Sequence, residues 1–555
     1  MIIRHKNKIW LLMIVLAILW FFGLPARHLA DPDEGRYAEI PLRMLLTGDW
    51  ITPRLNGLKY FEKPPLQYWA TAIAYTIFGS SEAASRLWTS LTGFLAMLAT
   101  CYAGTRLFGL RVGVCAGLIL ISSSLFFLSG MINTLDMGVS CFLTIALAGF
   151  LCAQRNEATP LQTRHGMYLA WGSIALAILS KGLIGLVLPG GVLVCYSLIQ
   201  RDWQLWKRLH LIAGILLLTV IAVPWFVLVA RANPEFLDFF FIREHVDRFT
   251  SAVHGRFHPW YYYVAVMAIG LCPWLFLLPI SMRKAWLTRE VSQRFNPERF
   301  LVLWITVIYL FFSISNSKLP FYLVPIFPAI ALLMARTIFQ LNHAQLVRRF
   351  LPILLLGILA ACGAYFYQFD QFLSIKSMGP ESGQVLGWLL AGTTLLASGW
   401  ALGFWFIAHK NISAGIVVTA LSAVLGFQLV MRDVDNIVPE LSSFRMAQQI
   451  AGLQAPGPIY SVGVYRQSLS FYLKRPVTIV AYQGELAFGF EQEPAKGIAT
   501  LETFKKVWRT TPTALAVMQE KTFGLLRTSL PIDVISVAGD LMLVTLKLTP
   551  EKSGF

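Results

Sequence analysis

The chain has 555 residues, of which 56% are hydrophobic and only 14% are charged. In soluble domains roughly a quarter of all residues are charged. The composition therefore excludes a soluble protein and indicates a polytopic membrane protein. The formal net charge is +17, but the basic residues lie in short loops between apolar segments. That pattern is typical of positive-inside topology, so we expect membrane lipids and not nucleic acid as partners.

Apolar segments of about 20 residues predict about thirteen transmembrane helices. They are expected near residues 8–24, 86–107, 112–130, 135–153, 167–180, 183–199, 210–230, 260–280, 300–315, 320–336, 350–367, 384–407 and 412–431. No small-residue cleavage site follows the first segment, which we interpret as a retained span. With the basic N-terminus in the cytoplasm, every second loop is basic, and this places the C-terminus on the outer side.

The chain changes character after the last span. Residues 1–432 are predicted to form a transmembrane catalytic domain whose first periplasmic loop is 25–85. Residues 433–555 alternate helix-like and strand-like stretches, which predicts a small periplasmic α/β domain. The expected fold is therefore a polytopic α-helical membrane protein with a C-terminal α/β domain. The seven cysteines lie in or beside apolar segments without metal-ligand spacing, and we expect no disulfide.

The first loop begins with an unusual concentration of charge, DPDEGRYAE at 31–39. Acids at this point could cap a helix and occupy its first turn. Three acids in four residues exceed what a cap needs, so Asp33 and Glu34 are candidate catalytic carboxylates. Arg36 is a candidate ligand for a phosphate.

The same loop continues into YFEKPP at 60–65. Glu62 and Lys63 could form an ordinary ion pair of a loop. The neighbouring prolines restrict the backbone and the aromatic rings lower the local dielectric, which favours a rigid, half-buried setting. Lys63 and Tyr60 are therefore candidate phosphate- or substrate-binding residues.

Further ionisable residues lie at predicted span ends on the outer side. Asp136 is at the mouth of the fourth span, where it could simply be hydrated, but intramembrane acids are functional by default. Lys181 and Lys318 interrupt two pairs of spans. Positive-inside statistics disfavour lysine on this side, so both are candidate substrate ligands and not only charged turns, together with nearby Tyr322.

A basic and aromatic stretch follows at 243–263. An interfacial belt of Trp and Tyr explains residues 260–263, but it does not explain His245 and Arg248. Arg248 is a candidate phosphate ligand. Glu62 and His245 have the side-chain types that bind a divalent metal such as Zn²⁺. We expect no other cofactor.

Taken together, these motifs resemble the lipid-carrier-dependent glycosyltransferases of the GT-C class. That class includes the dolichyl-phosphate-mannose protein mannosyltransferases, and within it the chain is most similar to the aminoarabinose lipid A transferases. The matching residues are Gly48-Asp49-Trp50-Ile51, Tyr60-Phe61-Glu62-Lys63-Pro64, Leu135-Asp136, Lys181-Gly182, Glu244-His245, Arg248-Phe249 and Lys318-Leu319-Pro320.

The resemblance implies an enzyme of the bacterial inner membrane with a periplasmic active site. Its donor would be 4-amino-4-deoxy-L-arabinose on undecaprenyl phosphate, and its acceptor a phosphate of lipid A, which confers resistance to polymyxin and cationic peptides. We expect a monomer. Asp33 would be a general base for a hydroxyl acceptor, or would orient an anionic acceptor or the amine of the sugar, with Glu34 and Asp136 as alternatives.

Two other functions remain open from the sequence. A protein O-mannosyltransferase-like enzyme would also use a polyprenyl-phosphate sugar. A lipid flippase or transporter would show inverted repeats and helices broken at the midplane, whereas the polar residues here concentrate on one outer surface.

Overall fold

The computed structural model describes residues 2–247, 258–288, 295–375, 387–454, 456–511 and 513–546. The chain divides into two compact units. One comprises Met1–Ala26 and Arg86–Asp433, and we call it the helical unit. The other comprises Arg27–Ser85 and Val434–Phe555, and we call it the α/β unit. The first loop therefore groups with the C-terminal segment, whereas the sequence placed it in the transmembrane domain.

The helical unit consists of α-helices joined by short connections. They are Ile2–Phe22, Glu82–Phe108 (most of it), Leu110–Ile121, Ser124–Met131, Leu135–Ala153, Pro160–Lys181, Ile184–Gln200, Leu211–Ala232, Tyr262–Gly270, Leu278–Leu287, Pro297–Ile314, Phe327–Ile338, His343–Ile375, Gly387–Ala408 and Ile412–Met431. Shorter turns of 3₁₀ helix lie at Trp203–Arg208, Leu275–Leu277 and Pro320–Ile326, and a π-helix lies at Asp238–Asp247.

Eight helices of the described residues are long and apolar enough to cross a membrane, and ten if each bent pair is one span. The bent pairs are Leu110–Ile121 with Ser124–Met131, at 65°, and Tyr262–Gly270 with Leu275–Leu287, at 109°. Backbone polar groups in lipid must be satisfied within the segment, which is why these apolar stretches are helical. The prediction of a polytopic helical membrane protein is confirmed.

The remaining predicted spans also lie on helices. Asn7–Phe22 and Ile184–Gln200 are shorter apolar helices, and the segment predicted at 167–180 lies within Pro160–Lys181. That last helix starts with a capping box in which Thr159 and Gln162 satisfy each other's backbone N–H groups. Its polar first turns explain why only its second half is apolar in the sequence.

Small residues set the spacing between neighbouring helices. A Cβ atom on Gly149 would lie 2.7 Å from the carbonyl oxygen of Gly166, and a Cβ on Gly166 would lie equally close to that of Gly149. Helices Leu135–Ala153 and Pro160–Lys181 therefore touch backbone to backbone at this point. Such contacts replace the hydrophobic effect as a source of helix association in lipid.

The α/β unit contains a two-stranded hairpin and a six-stranded sheet. The strands are β1 (Arg54–Leu55), β2 (Leu58–Lys59), β3 (Ile459–Val462), β4 (Thr478–Val480), β5 (Gly497–Ile498), β6 (Leu515–Gln519), β7 (Ile532–Ala538) and β8 (Leu541–Leu546). The sheet order is β5-β4-β3-β6-β8-β7. Strands β5, β4, β3 and β6 are parallel, and β8 and β7 add antiparallel to β6.

Helices accompany the sheet and the first loop. They are Asp33–Thr47, Leu66–Phe78, Val434–Ile437, Phe444–Gly452, Gln467–Leu473, Ala487–Gln492, Leu501–Arg509 and Glu520–Leu526, with 3₁₀ turns at Pro439–Leu441, Gly484–Leu486 and Pro494–Lys496. On one face of the sheet, Tyr460 of β3 packs against Phe504 and Trp508, with ring centroids 5.3 and 6.2 Å away. The predicted C-terminal α/β domain is confirmed.

The hairpin of the first loop explains why that loop belongs to this unit. Asn56 and Gly57 both have positive φ, 52° and 81°, as a two-residue Asn-Gly turn requires. The turn presents the Asn56 amide to the backbone of Val477, with hydrogen bonds of 2.8 and 2.9 Å. The Ser470 hydroxyl donates to the same amide oxygen at 2.9 Å.

Asp31 attaches the start of the loop to the same unit. Its Oδ1 accepts a hydrogen bond from the Ser468 N–H, and its Oδ2 accepts one from the Ser468 hydroxyl, both at 2.6 Å. The Ser443 hydroxyl donates to Oδ2 at 3.2 Å. Burial raises the pKa of Asp31 to about 6, although these donors oppose the shift.

Candidate active site

Helix Asp33–Thr47 positions the charges of the first loop. Asp33 and Glu34 lie in its first turn, where the N-terminal end of the helix dipole favours acids, and Gly48 ends it with φ of 73°. Residues three or four apart lie on one face of a helix. Asp33 is therefore beside Arg36, with 3.1 Å between Oδ1 and a guanidinium nitrogen.

Glu34 is buried and engaged by neighbouring backbone and side chain. Its carboxylate accepts hydrogen bonds from the Arg27 guanidinium at 2.5 and 3.0 Å and from the Ala30 N–H at 3.0 Å. The Asp33 side chain, in contrast, is 45% exposed. Of the two adjacent acids, Asp33 presents the carboxylate that a substrate can reach.

Arg36 is the centre of a buried polar cluster. Its guanidinium forms ion pairs with Asp33 and with Glu485 of the C-terminal segment. The ring centroids of Tyr37 and Tyr60 lie 5.6 and 6.0 Å from its Cζ. We call these five residues the Arg36 cluster. It places a permanent cation beside two carboxylates and two tyrosine rings, and a guanidinium can bind a phosphate with two parallel hydrogen bonds.

Tyrosine hydroxyls in and beside the cluster are buried. The rings of Tyr37 and Tyr68 stack with centroids 6.2 Å apart. The hydroxyls of Tyr60 and Tyr68 have no hydrogen-bond partner among the described residues. Burial raises the pKa of Tyr60, and the Arg36 charge opposes that shift. Both hydroxyls remain protonated donors, and a buried donor is costly unless something accepts from it.

Glu485 is a member of the cluster that the sequence analysis missed. Burial raises the pKa of its carboxyl, and Arg36 opposes the shift. The Gln467 amide donates to the same carboxylate. The one available signal is that an arginine expected to be buried needs a carboxylate partner, but nothing in the sequence says which acid of the chain supplies it.

Glu62 and Lys63 lie in the rigid, half-buried setting that the sequence predicted. Both are partly exposed, and Pro64 and Pro65 after them are buried. The Phe61 ring before them packs on Phe488 with centroids 5.7 Å apart. The Lys63 ammonium donates to the Glu62 carbonyl at 2.7 Å. An ammonium has three donors, so it can contact several acceptors at once.

A second polar cluster lies in the helical unit. Asp136, in the first turn of Leu135–Ala153, forms an ion pair with Lys181 at the end of Pro160–Lys181. The Lys181 ammonium also lies 4.4 Å from the ring centroid of Tyr322. Three residues that were predicted from three separate motifs are thus in direct contact. We call them the Asp136 cluster.

Lys318 lies in the connection before Tyr322 and is buried. Its ammonium donates to the Ser315 carbonyl at 2.7 Å. The next residue is fixed by Tyr263, whose hydroxyl donates to the Leu319 carbonyl at 3.2 Å. A buried lysine beside a 3₁₀ turn is costly unless paired or functional, so Lys318 remains a candidate ligand.

The predicted residues therefore fall into the two units. Asp33, Glu34, Arg36, Tyr60, Glu62 and Lys63 belong to the α/β unit, and Asp136, Lys181, Lys318 and Tyr322 to the helical unit. Arg248 and the side chain of His245 lie outside the described residues. Within the described part of the chain, no group of three or more His, Cys, Asp or Glu could hold a metal ion, and the Glu62–His245 metal site stays a prediction.

Two family models match the chain. The model described as dolichyl-phosphate-mannose-protein mannosyltransferase matches residues 8–240. The model described as the aminoarabinose transferase C-terminal domain matches residues 446–545. The first range contains the first loop and the Asp136–Lys181 pair, and the second contains Glu485.

Whole-length relatives agree with this division. The undecaprenyl phosphate-alpha-4-amino-4-deoxy-L-arabinose arabinosyl transferase of Aeromonas salmonicida is 30% identical over 88% of this chain and 88% of its own length. The enzyme of the same name from Aeromonas hydrophila is 31% identical over 88% of this chain and 89% of its own length.

Solved structures with the same fold exist for a bacterial relative. The crystal structure of ArnT from Cupriavidus metallidurans bound to undecaprenyl phosphate has a TM-score of 0.88 and 33% identity over 97% of this chain and 98% of that chain. Its apo state has a TM-score of 0.87 and 32% identity over 98% of each chain.

Proposed function

This chain belongs to the family of undecaprenyl phosphate-aminoarabinose arabinosyl transferases, and we propose that it transfers 4-amino-4-deoxy-L-arabinose from undecaprenyl phosphate to a phosphate of lipid A. It is a multi-pass membrane glycosyltransferase. The observation that carries the proposal is the match over nearly the whole chain to a relative bound to undecaprenyl phosphate, combined with a buried arginine cluster in the first loop.

The donor phosphate requires cationic ligands and hydrogen-bond donors. In our proposal Lys63 and Arg36 bind it, and the Tyr60 hydroxyl donates to it, because that hydroxyl is buried without a partner among the described residues. Arg36 is held in place by Glu485, which fixes its direction before the ligand arrives. Preorganised charge of this kind stabilises the negative charge that develops on the leaving phosphate.

Transfer breaks the bond between C1 of the sugar and the oxygen of the undecaprenyl phosphate. The bonding electrons stay on the leaving phosphate, and an oxygen of the acceptor phosphate forms the new bond to C1. Positive charge develops on the sugar ring in the transition state, and a carboxylate stabilises it. Asp33 has the exposed carboxylate of the first loop, so we assign this role to Asp33.

An acceptor phosphate is already anionic at neutral pH, and no base is needed to activate it. Asp33 then has no proton to remove, and its charge serves to orient the cationic amine of the sugar or to stabilise the ring. Glu34 is a positioning residue in this proposal, because its carboxylate is occupied by Arg27 and the Ala30 N–H.

The Asp136 cluster is proposed as a separate binding site for charged groups of a substrate. Asp136 pairs with Lys181, and a substrate that carries both an amine and a phosphate can exchange with both partners at once. Lys318 supplies a further buried cation in the same unit. Arg248 is retained as a candidate phosphate ligand from the sequence alone.

We propose that both the first loop and residues 434–555 lie on the periplasmic side of the inner membrane, and the basic charge of alternate loops supports this orientation. Lipid A passes that surface in a Gram-negative cell. Each transferred sugar adds an amine next to a phosphate and lowers the negative surface charge, and cationic peptides such as polymyxin then bind less strongly.

The match of residues 8–240 to protein mannosyltransferases keeps a protein acceptor as the alternative. Purified protein should be incubated with the aminoarabinose carrier lipid and either lipid A or a serine- and threonine-containing peptide. We expect lipid A heavier by one aminopentose in the mass spectrum. A glycosylated peptide with unmodified lipid A would overturn the acceptor assignment and leave the carrier-lipid chemistry standing.

A further inference from the structure

A cavity of about 260 Å³ opens in the α/β unit beside β4 and β5. Tyr482 and Gln483, which lie two and three residues after β4, and Ala499, which directly follows β5, line it. The two strands are parallel, and ligands of parallel sheets bind outside the carboxyl ends of the strands. The cavity is therefore in the position where this type of sheet receives a ligand.

Two aromatic side chains of the cavity lie directly on glycines. A Cβ atom on Gly497 would lie 2.3 Å from Cε1 of Phe490, and one on Gly484 would lie 2.3 Å from the Tyr482 hydroxyl. Any other residue at Gly497 or Gly484 would displace the ring. The rings of Phe490 and Tyr482 are thus preformed parts of the cavity wall and not loosely attached surface groups.

The lining combines two kinds of group. Phe490 and Tyr482 offer flat apolar faces, while Gln483 and Glu491 offer an amide and a carboxylate. Aromatic faces pack against the C–H face of a sugar ring, and amides and carboxylates hydrogen-bond its hydroxyls. A carboxylate repels a phosphate. Because drug-sized ligands occupy roughly 300–1,000 Å³, this cavity suits one sugar ring and not a whole lipid.

Tyr482 connects the cavity to the Arg36 cluster. Burial and the nearby Glu485 carboxylate raise the pKa of Tyr482, and the Arg36 charge opposes that shift. Its ring lines the cavity, and its hydroxyl lies against Gly484. The next residue is Glu485, the ion-pair partner of Arg36. A sugar ring held in the cavity would therefore lie on the segment that carries the partner of Arg36.

We infer that this cavity is an acceptor subsite, in which one sugar ring of the phosphorylated glycolipid packs on Phe490 and Tyr482 while its phosphate is directed toward the Arg36 cluster. The inference rests on the proposed function and adds to it the part of the chain that recognises the acceptor. It gives the C-terminal segment a role in substrate selection.

The test compares two exposed alanines of the same segment. Ala499 lines the cavity and Ala495 does not, so Ala499→Trp should fill the cavity and Ala495→Trp should not. Phe490→Ala removes one ring without adding volume. Full-length variants are assayed with the aminoarabinose carrier lipid and lipid A, and the KM is measured separately for each substrate.

We expect Ala499→Trp and Phe490→Ala to raise the KM for lipid A about tenfold or more, with an unchanged KM for the carrier lipid and a normal melting temperature. Ala495→Trp should behave as the wild type. If the wild type modifies lipid A but all three variants keep the wild-type KM for it, the subsite is wrong and the proposed function survives. If the wild type produces no modified lipid A, both are wrong.

Discussion

Arg36 and Glu485 form an ion pair in which only 8% and 13% of the two side chains are exposed. Arg36 lies in the first loop and Glu485 in the 3₁₀ turn Gly484–Leu486 between β4 and β5, and both belong to the α/β unit. Breaking such a pair leaves a buried charge without compensation. The cation proposed to bind the donor phosphate therefore depends on a residue far away in the sequence.

Replacing Asp33 separates catalysis from stability. Asp33→Asn removes the charge of the side chain and keeps its size, so we expect sugar transfer to be lost. Because the Asp33 side chain is 45% exposed, the free energy of unfolding should change by less than about 1 kcal/mol. Transfer by the purified variant and its melting temperature give the two readouts. Normal transfer by Asp33→Asn would remove Asp33 from the mechanism.

The neighbouring acid provides the matched control. Glu34→Gln removes the carboxylate charge with which the Arg27 guanidinium pairs. For a buried pair this costs about 3–5 kcal/mol, so Glu34→Gln should melt at a lower temperature than Asp33→Asn. Equal melting temperatures for the two variants would contradict the structural role of Glu34.

Lys63→Ala should weaken binding of undecaprenyl phosphate. A hydrogen bond to a charged group contributes roughly 1.5–3 kcal/mol, which corresponds to about ten- to hundredfold in affinity. Lipid binding to purified protein is the measurement. Lys505→Ala is the control, because Lys505 pairs with the exposed Glu502 and should not affect binding. Unchanged affinity in Lys63→Ala would move the phosphate site to other cations, such as Arg248.

The Asp136–Lys181 pair can be tested by a double-mutant cycle. Asp136→Asn and Lys181→Met each leave one charge of the pair without its partner, and each should destabilise the protein by about 3–5 kcal/mol. The double variant should recover much of that stability but not the transferase activity. If the double variant is as unstable as the sum of the single variants, the pair does not interact as the structure indicates.

Asp31 predicts a dependence of stability on pH. Its pKa is raised from 3.8 to about 6 in the folded protein, so the folded state binds the proton more tightly than the unfolded state. Protonated Asp31 therefore adds to the free energy of unfolding. This contribution is fully present below pH 3.8 and is lost as the pH rises through about 6. The melting temperature of the wild type, compared with that of Asp31→Asn, should fall across this window. A constant difference between the two proteins would contradict it.

The loop charges predict the orientation in the membrane. Reporter fusions after Val434 should be active in the periplasm, and fusions after Arg283 should be active in the cytoplasm, because basic loops stay inside. Reporter enzymes that work on only one side of the membrane give the measurement. A cytoplasmic reporter signal at Val434 would invert the orientation proposed for the first loop.

Local patterns of the sequence were sufficient for the helices, and they singled out most of the residues that the structure gathers in the Arg36 and Asp136 clusters. Apolar length predicts spans directly, and Asp136, Lys181 and Tyr322 were each visible as polar residues at span ends. Their mutual contact was not predicted, because it depends on how helices pack. The contacts of Asp31 with its serines and of Glu485 with Arg36 were missed for the same reason. In each case the two partners are separated by more than 400 residues in the sequence.

The α/β unit is built from two segments of the chain that are synthesised at different times. Arg27–Ser85 is made early, and its partners in Val434–Phe555 are made last. The residues in between number roughly 350, which takes roughly 20–70 s at about 5–20 residues per second. During that interval Asp31, Arg36 and Asn56 lack the partners that Val434–Phe555 supplies, which are Ser468, Glu485 and Val477. A chain that stops before Val434 would insert its helices and never complete the first loop, so premature termination should yield a membrane protein exposed to proteases at that loop.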